Sequence, residues 1–224
     1  MNNIKLKKQF DLAAKKYDSQ RKILIPFFED YYESGIKYLS SNKFDKILDL
    51  GAGTGLLSQY LFKYFPNSRY TLIDVSTKML DIAKRRFKNL SNIIYLEKDY
   101  SGNFPKGKFD LIASALSIHH LNEDEKYKLY RKIFNSLNKN GYFLNIDQYK
   151  SPSRNVNKKY IGLWINDITK HKVTKKDIES WLERRKLDKE TTMEKEMNKL
   201  NEIGFKEVEC LFKYWKLGVI VGKK

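Results

Sequence analysis

The chain has one cysteine, Cys210, and only four prolines and three histidines among its 224 residues. A lone thiol excludes an internal disulfide framework and a cysteine-built metal site. Apolar runs are short, such as Leu111-Ile112-Ala113, far below the roughly 20 residues that a membrane-spanning helix needs. No membrane association is therefore expected. The start, Met1-Asn2-Asn3-Ile4-Lys5, lacks the apolar core of a signal peptide, so a cytoplasmic location is the expectation. Internal repeats and low-complexity tracts are also missing. What is present, 41% hydrophobic and 14% aromatic residues, is enough for a packed α/β domain rather than a disordered chain.

Charge is one-sided. The formal net charge is +17, which raises the question of nucleic acid as a partner. The excess is spread along the chain and consists mostly of lysine, with arginine at eight positions. Arginine is the usual residue for bidentate phosphate and base contacts, so a solvated basic surface is the expected reading. Nucleic acid is the lesser alternative, supported by runs such as Arg184-Arg185-Lys186.

Two helices are expected first, over Phe10–Lys16 and Pro26–Leu39, with Pro26 in the first turn of the second. From Lys46 strands and helices alternate: strands at Ile47–Leu50, Tyr70–Asp74, Ile93–Glu97, Phe109–Ala115 and Tyr142–Asp147, and helices at Leu56–Phe65, Thr77–Phe87 and Glu123–Leu137. Ser76 is placed to cap the second of these helices, and the third should end near Asn140-Gly141. This rhythm predicts a parallel sheet covered on both faces. It breaks after Lys150, where helices are expected at Asn157–Thr169, Lys175–Arg185 and Thr192–Ile203. Two closing strands, Phe205–Phe212 and Tyr214–Val221, stand so close together that they must form a hairpin or one bent ribbon.

The strongest local signal is Ile47-Leu48-Asp49-Leu50-Gly51-Ala52-Gly53-Thr54-Gly55, which puts Gly-x-Gly-x-Gly between a buried strand and a helix. Glycines there let the backbone turn and approach a ligand, and the helix start offers free N–H groups. A nicotinamide fingerprint would place another glycine where Leu56 stands. Asp74 closes the next strand about twenty residues on, where a carboxylate can take both ribose hydroxyls. Asp99, after the third strand, is placed either to accept from an adenine amino group beside Tyr100 or to form a turn.

Together these residues resemble the class I S-adenosylmethionine-dependent methyltransferases: Asp49-Leu-Gly-Ala-Gly-Thr-Gly55, Asp74-Val-Ser-x-x-Met79, Lys98-Asp99-Tyr100, Phe109-Asp110-Leu-Ile and Asn140-Gly141. Ser114-Ala-Leu-Ser-Ile-His-His-Leu121 and the C-terminal Lys213-Tyr-Trp are similar to a subgroup of small bacterial and archaeal members of unassigned substrate. The resemblance implies a doubly wound, mostly parallel seven-stranded sheet with an antiparallel last strand. It implies one domain, with a helical cap over 1–45, a core over 46–149, a helical lid over 150–204 and closing strands over 205–224. It further implies S-adenosylmethionine as cofactor and S-adenosylhomocysteine as product. The implied contacts are Tyr17, Arg21, Gly51, Ala52, Gly53, Thr54, Gly55, Asp74, Val75, Ser76, Met79, Asp99, Tyr100, Ala115 and Leu116.

Acceptor chemistry falls beyond the fourth and fifth strands. His120 is the candidate base, His119 should point elsewhere, and Asp147 is the second candidate. Tyr160, Trp164 and Trp181 in the lid are placed to line an aromatic acceptor pocket. The chain lacks the Asn/Asp-Pro-Pro-Tyr stretch of amino-methylating enzymes, a Pro-Cys nucleophile and a carboxylate cluster for metal, so no metal is expected. The expected activity is methylation of an O, N or S atom on a small molecule, by a monomer or homodimer. Alternatives are methylation of RNA, tRNA in particular, and binding of the cofactor without catalysis.

Overall fold

A computed structural model describes residues 3–170 and 173–224. Met1 and Asn2, and His171 and Lys172 within the expected lid, lie outside the described residues.

Seven strands form one sheet. They are β1 (Lys46–Leu50), β2 (Arg69–Asp74), β3 (Ile93–Glu97), β4 (Phe109–Ala115), β5 (Leu137–Gln148), β6 (Lys206–Tyr214) and β7 (Leu217–Lys223). Their order is β3-β2-β1-β4-β5-β7-β6, and β7 runs antiparallel to both neighbours. The expected doubly wound sheet with a reversed last strand is thus present, and the two closing strands form a hairpin turning at Trp215-Lys216.

The helices are α1 (Asn3–Ala13), α2 (Tyr17–Leu24), α3 (Phe28–Leu39), α4 (Leu56–Tyr64), α5 (Thr77–Arg86), α6 (Glu123–Ser136), α7 (Arg154–Thr169), α8 (Lys175–Arg185) and α9 (Met193–Ile203). Alternation along the strands sends side chains to two cores. Ile47, Leu111, Leu144 and Val219 pack with Tyr31, Ile36 and Leu61 of α3 and α4. Leu48, Ile112, Phe143 and Ile220 pack with Leu129, Ile133 and Leu200 of α6 and α9. Side-chain caps start most of the later helices. Ser76 accepts from the Met79 N–H, while Asn122 with Glu125 and Thr174 with Asp177 form reciprocal capping boxes.

Three local expectations need correction. The N-terminal region holds a further helix, α2, whose start has no side-chain cap. It is held instead by tertiary bonds, with Asp18 accepting from Thr54 at 2.6 Å and the Leu24 carbonyl from Trp164 Nε1 at 2.8 Å. Pro26 lies outside α3, which begins after Phe27 in a left-handed conformation (φ 51°). Helix α6 stops at Ser136, because Leu137 already pairs with Phe109 in β5, and Asn140 (φ 62°) sits inside an irregular stretch of that strand rather than at a helix end.

The stretch after β5 divides in two. Helix α9 is a layer of the sheet, anchored to α6 by Lys126 Nζ, which donates to Glu196 Oε1 at 2.7 Å and Thr191 Oγ1 at 2.9 Å. Helices α7 and α8 lie on the other side, with Trp164 and Trp181 buried in the core that includes Leu24. No described helix is long and apolar enough to cross a membrane.

Candidate active site

The strand ends of β1, β2 and β4 open into a cleft. Gly51 and Gly53 line its floor, Asp74, Val75 and Met79 one side, Asp99 and Tyr100 the end, and Leu116, Ser117 and His120 the side toward β4. Leu6 and Phe10 of α1 and Tyr17 of α2 form a roof. The roof is tied to the rim by polar contacts. Lys7 Nζ donates to Glu97 at 2.7 Å, Ser76 Oγ donates to Asp11 at 2.5 Å, and Asp18 pairs with Arg86 as well as accepting from Thr54.

The three loop glycines have different surroundings although all have positive φ. A Cβ on Gly51 (φ +68°) would lie 1.9 Å from Ser117 Oγ, and one on Gly55 (φ +77°) would lie 2.6 Å from the Phe87 ring. These two glycines permit close packing within the protein. A Cβ on Gly53 (φ +54°) would approach nothing nearer than the Gly51 carbonyl at 4.0 Å and would project into open space. That leaves free space over the loop at Gly53. Ala52, Thr54, Gly55 and Ala115 do not line the cleft: Ala52 is core, and the buried Thr54 hydroxyl turns away to Asp18.

Asp74 accepts from the Gly53 N–H at 2.9 Å and the Ser76 N–H at 2.8 Å, so its carboxylate braces the loop it faces. Burial outweighs those bonds and pushes its pKa up to about 6. Behind it, Asp49 is fully buried with Oδ2 accepting from Ser58 at 2.6 Å and Oδ1 without a partner among the described residues. Burial, with Asp74 adding repulsion against the Ser58 bonds, raises its pKa to about 7. Asp99 forms a turn, accepting from Ser101 N at 2.9 Å and Oγ at 2.7 Å, while still lining the cleft. Tyr100 shares a 2.8 Å hydrogen bond with Ser117. Ser76 is fully buried as the cap of α5.

The adjacent histidines are set to opposite charge states. His119 is 2% exposed, with Nδ1 2.5 Å from Asp147 Oδ1 and Nε2 3.4 Å from Asp188 Oδ1. Burial works against its charge, but the two carboxylates prevail and raise its pKa to about 9. His120 is 8% exposed, and neither ring nitrogen has a hydrogen-bond partner among the described residues. Its Nδ1 stops 3.5 Å from Asp188 Oδ1, and Phe10 meets its ring edge-on at 5.5 Å. Burial, reinforced by the His119 charge, holds its pKa well below the ordinary value. A neutral, unpartnered imidazole therefore faces the cleft beside a fixed imidazolium.

Asp147 lies off the cleft, and its oxygens accept from His119 and from the Gln148 N–H at 2.9 Å. Arg21 also lies off the cleft and donates to the Tyr17 hydroxyl at 2.7 Å. Trp164 and Trp181 do not form an acceptor pocket. Their rings lie 4.9 Å apart in the core, with the Arg185 guanidinium against both, and Tyr160 meets Trp215 elsewhere. Sequence reasoning missed Asp188, Ser117 and the roofing Leu6 and Phe10. Asp188 follows a basic run in a stretch without strand pattern, and nothing local marks it as the partner of two histidines about seventy residues away.

Residues 47–141 match the family model described as a methyltransferase domain. The chain is 29% identical over 137 residues to malonyl-[acyl-carrier protein] O-methyltransferase 1 of Ilyobacter polytropus, covering 61% of this chain and 49% of that protein. It thus spans about half the length of the malonyl-[acyl-carrier protein] methyltransferases it matches. It is 25% identical to carboxy-S-adenosyl-L-methionine synthase of Nautilia profundicola across 99% of this chain and 97% of that one. Among solved structures, the N-methyltransferase NodS of Bradyrhizobium japonicum in complex with S-adenosyl-L-homocysteine superposes with a TM-score of 0.63 at 17% identity, covering 93% of this chain and 98% of NodS.

Proposed function

We propose that this chain, whose domain is that of a class I S-adenosylmethionine-dependent methyltransferase, methylates a nucleophilic oxygen, nitrogen or sulfur atom of a small molecule. The observation that carries the proposal is His120, a buried neutral imidazole in the cleft with both nitrogens unpartnered. Two neighbouring titratable groups whose surroundings drive their pKa values apart mark an acid–base assignment. A charged His119 and a neutral His120 are such a pair.

The open space above Gly53 and the carboxylates of Asp74 and Asp99 fit the cofactor. When bound, it supplies an electrophilic methyl group on a sulfonium. In this reading Gly51 and Gly53 admit it, Asp74 takes the ribose hydroxyls and Asp99 the adenine amino group. Asp188 lies opposite His120 Nδ1, favouring the tautomer with its proton there. The Nε2 lone pair is then left to take the acceptor's proton. Asp147 holds His119 charged and still. Leu6, Phe10 and Tyr17 exclude water and restrict access to molecules that fit beneath a roof, which favours a small acceptor over a folded RNA.

The test is label transfer from S-adenosylmethionine into separated small-molecule and RNA pools. Label is expected in the small-molecule pool, and incorporation into RNA alone would reverse the choice of acceptor. With the acceptor in hand, His120→Ala should lower turnover by roughly two to four orders of magnitude and leave S-adenosylhomocysteine affinity unchanged.

A second reading comes from the carboxy-S-adenosyl-L-methionine synthase relative, which this chain matches over nearly its whole length. In that reading the cofactor itself is modified. Mass spectrometry of the spent nucleoside separates the two: a demethylated thioether supports methyl transfer, and a carboxylated sulfonium supports the alternative.

A further inference from the structure

Three side chains from distant segments converge around His120. His119 and His120 stand together on one tight turn after β4, Ile118–His120, with ring centres 4.0 Å apart. Asp188 comes from the chain just beyond α8 and turns Oδ1 toward both, 3.4 Å from His119 Nε2 and 3.5 Å from His120 Nδ1. All three side chains are at least nine-tenths buried. One nitrogen of each ring and a carboxylate oxygen lie within 4.8 Å of one another.

The spacings are those of a coordination shell rather than of hydrogen bonds. An N–H···O bond closes to about 2.7–3.2 Å. Ligands about 2.0–2.1 Å from a tetrahedral zinc ion stand about 3.3–3.4 Å from one another. The two contacts to Asp188 Oδ1 lie at that edge length, and both nitrogens of the buried His120 lack a hydrogen-bond partner among the described residues. Support for the ligands is also in place. Asp147 lies 2.5 Å from His119 Nδ1 and accepts from the His119 backbone N–H at 3.0 Å, and Asp188 Oδ2 accepts from Gln148 at 2.6 Å. A carboxylate on the far nitrogen of a histidine fixes the ring and leaves the other nitrogen to a metal. Asp147 and Asp188 together balance the charge of a divalent ion. Of the nearby cations, Arg185, 3.7 Å from Asp188 Oδ2, also pairs with Glu190 at 2.6 Å, and Lys126 pairs with Glu196 at 2.7 Å, while Arg21 acts against positive charge at His120.

We propose that His119 Nε2, His120 Nδ1 and Asp188 Oδ1 bind one divalent transition ion of the zinc class, and that this ion switches His120 from proton acceptor to proton donor. Two imidazoles and a carboxylate suit such an ion, whereas magnesium and calcium take oxygen ligands. Of the three ligands only His120 lines the cleft, so the ion sits behind it, away from the acceptor. With Nδ1 on the ion, the one proton of the neutral ring moves to Nε2, the atom that otherwise takes the acceptor's proton. A bound ion therefore withdraws the base, and the metal-free protein is the active form. The metal site rests on the three ligands alone, while the switch rests on the methyltransferase reading above. The sequence hides the site because Asp188 stands about seventy residues from the two histidines.

The experiment starts from a Cys210→Ser, His171→Gln parent, which removes the exposed thiol and the chain's third histidine as competing zinc ligands. Calorimetry with zinc chloride should find one site in the chelator-stripped parent. His120→Gln and Asp188→Asn should each weaken it by more than about a hundredfold, and Asp147→Asn by about tenfold to a hundredfold, the usual cost of losing support behind a ligand. Cobalt should give the visible absorption of a tetrahedral ion in the parent and not in Asp188→Asn. Thermal melts without metal establish that each variant is folded; His120→Gln decides the matter if Asp188→Asn is not, because the His120 ring has no hydrogen bond to lose. A parent that binds no zinc, or binds it no more tightly than His120→Gln does, overturns the site. Nitrogen NMR of labelled histidine should place zinc on His120 Nδ1 and a proton on Nε2, and zinc on Nε2 overturns the switch. With the acceptor in hand, zinc should lower turnover of the parent by roughly two to four orders of magnitude, as loss of the base does. Zinc held by the three ligands with turnover unchanged refutes His120 as the base and leaves the metal site standing.

Discussion

Substituting Gly53 by alanine separates loop folding from ligand binding. The new Cβ meets no protein atom closer than 4.0 Å, so no packing term enters. What remains is a non-glycine residue held at φ +54°, which costs about 1–2 kcal/mol. For a chain of this size that lowers the melting temperature by about 2–8 °C. The Cβ projects into the cleft where the cofactor must pass, so S-adenosylhomocysteine affinity should fall by at least about tenfold, the equivalent of 1.4 kcal/mol. Gly51→Ala should behave differently. Its Cβ would lie 1.9 Å from Ser117 Oγ and 2.5 Å from Ser117 Cβ, so part of its stability loss should return in a Gly51→Ala, Ser117→Gly double variant. Thermal denaturation and calorimetry on the three variants provide the numbers. A folded Gly53→Ala protein that binds S-adenosylhomocysteine as tightly as wild type would refute the placement of the ligand over Gly53.

Three further outcomes follow from the ionisable groups. Asp74 has its pKa near 6, and a ribose would be held by the charged form, so affinity should fall about tenfold between pH 7 and pH 5; Asp74→Asn should bind weakly with no such slope, and a wild-type slope surviving in it would assign the titration elsewhere. His119 has a folded pKa near 9, above the roughly 6.5 of an unfolded histidine, so its stabilisation is complete below pH 6.5 and lost as pH rises through 9. The difference corresponds to about 3 kcal/mol, and denaturant melts at pH 7 and 10 should show a larger loss for wild type than for His119→Gln. Asp188, depressed to about 2, contributes stability above pH 4 that disappears as pH falls through 2; Asp188→Asn should abolish that acid loss and lower the His119 pKa, as read from its imidazole resonances.

A stretch held together inside the core is not expected to behave as a mobile lid. Trp164 donates to Leu24, Lys189 N–H to the His119 carbonyl at 2.7 Å, and Gln148 to Asp188 at 2.6 Å. Hydrogen exchange should therefore report early exchange in α1, which roofs the cleft through Leu6 and Phe10, before α7 or α9. The reverse order would restore the inserted helices as the moving part.

The sequence by itself determined the strand segments, the glycine loop, the place of Asp74 at a strand end and the Ser76 cap, because these depend on neighbours in the chain. Strand alternation, a capping hydroxyl and a turn glycine act over a few residues, and their spacing is visible without coordinates. The expectation that the two histidines diverge did not hold: their rings lie 4.0 Å apart and both approach Asp188 Oδ1, although only His120 lines the cleft. Only the tertiary structure decided which became charged, because that depends on Asp147 at the end of β5 and Asp188 beyond α8, brought together by packing. It likewise separated three equivalent-looking glycines into two that admit protein side chains and one that opens onto the cleft. Trp164 and Trp181 became core because α7 and α8 fold against α2, a helix with no local start signal. Burial, charge state and the loss of a partner are properties of surroundings, and surroundings are assembled only when distant segments meet.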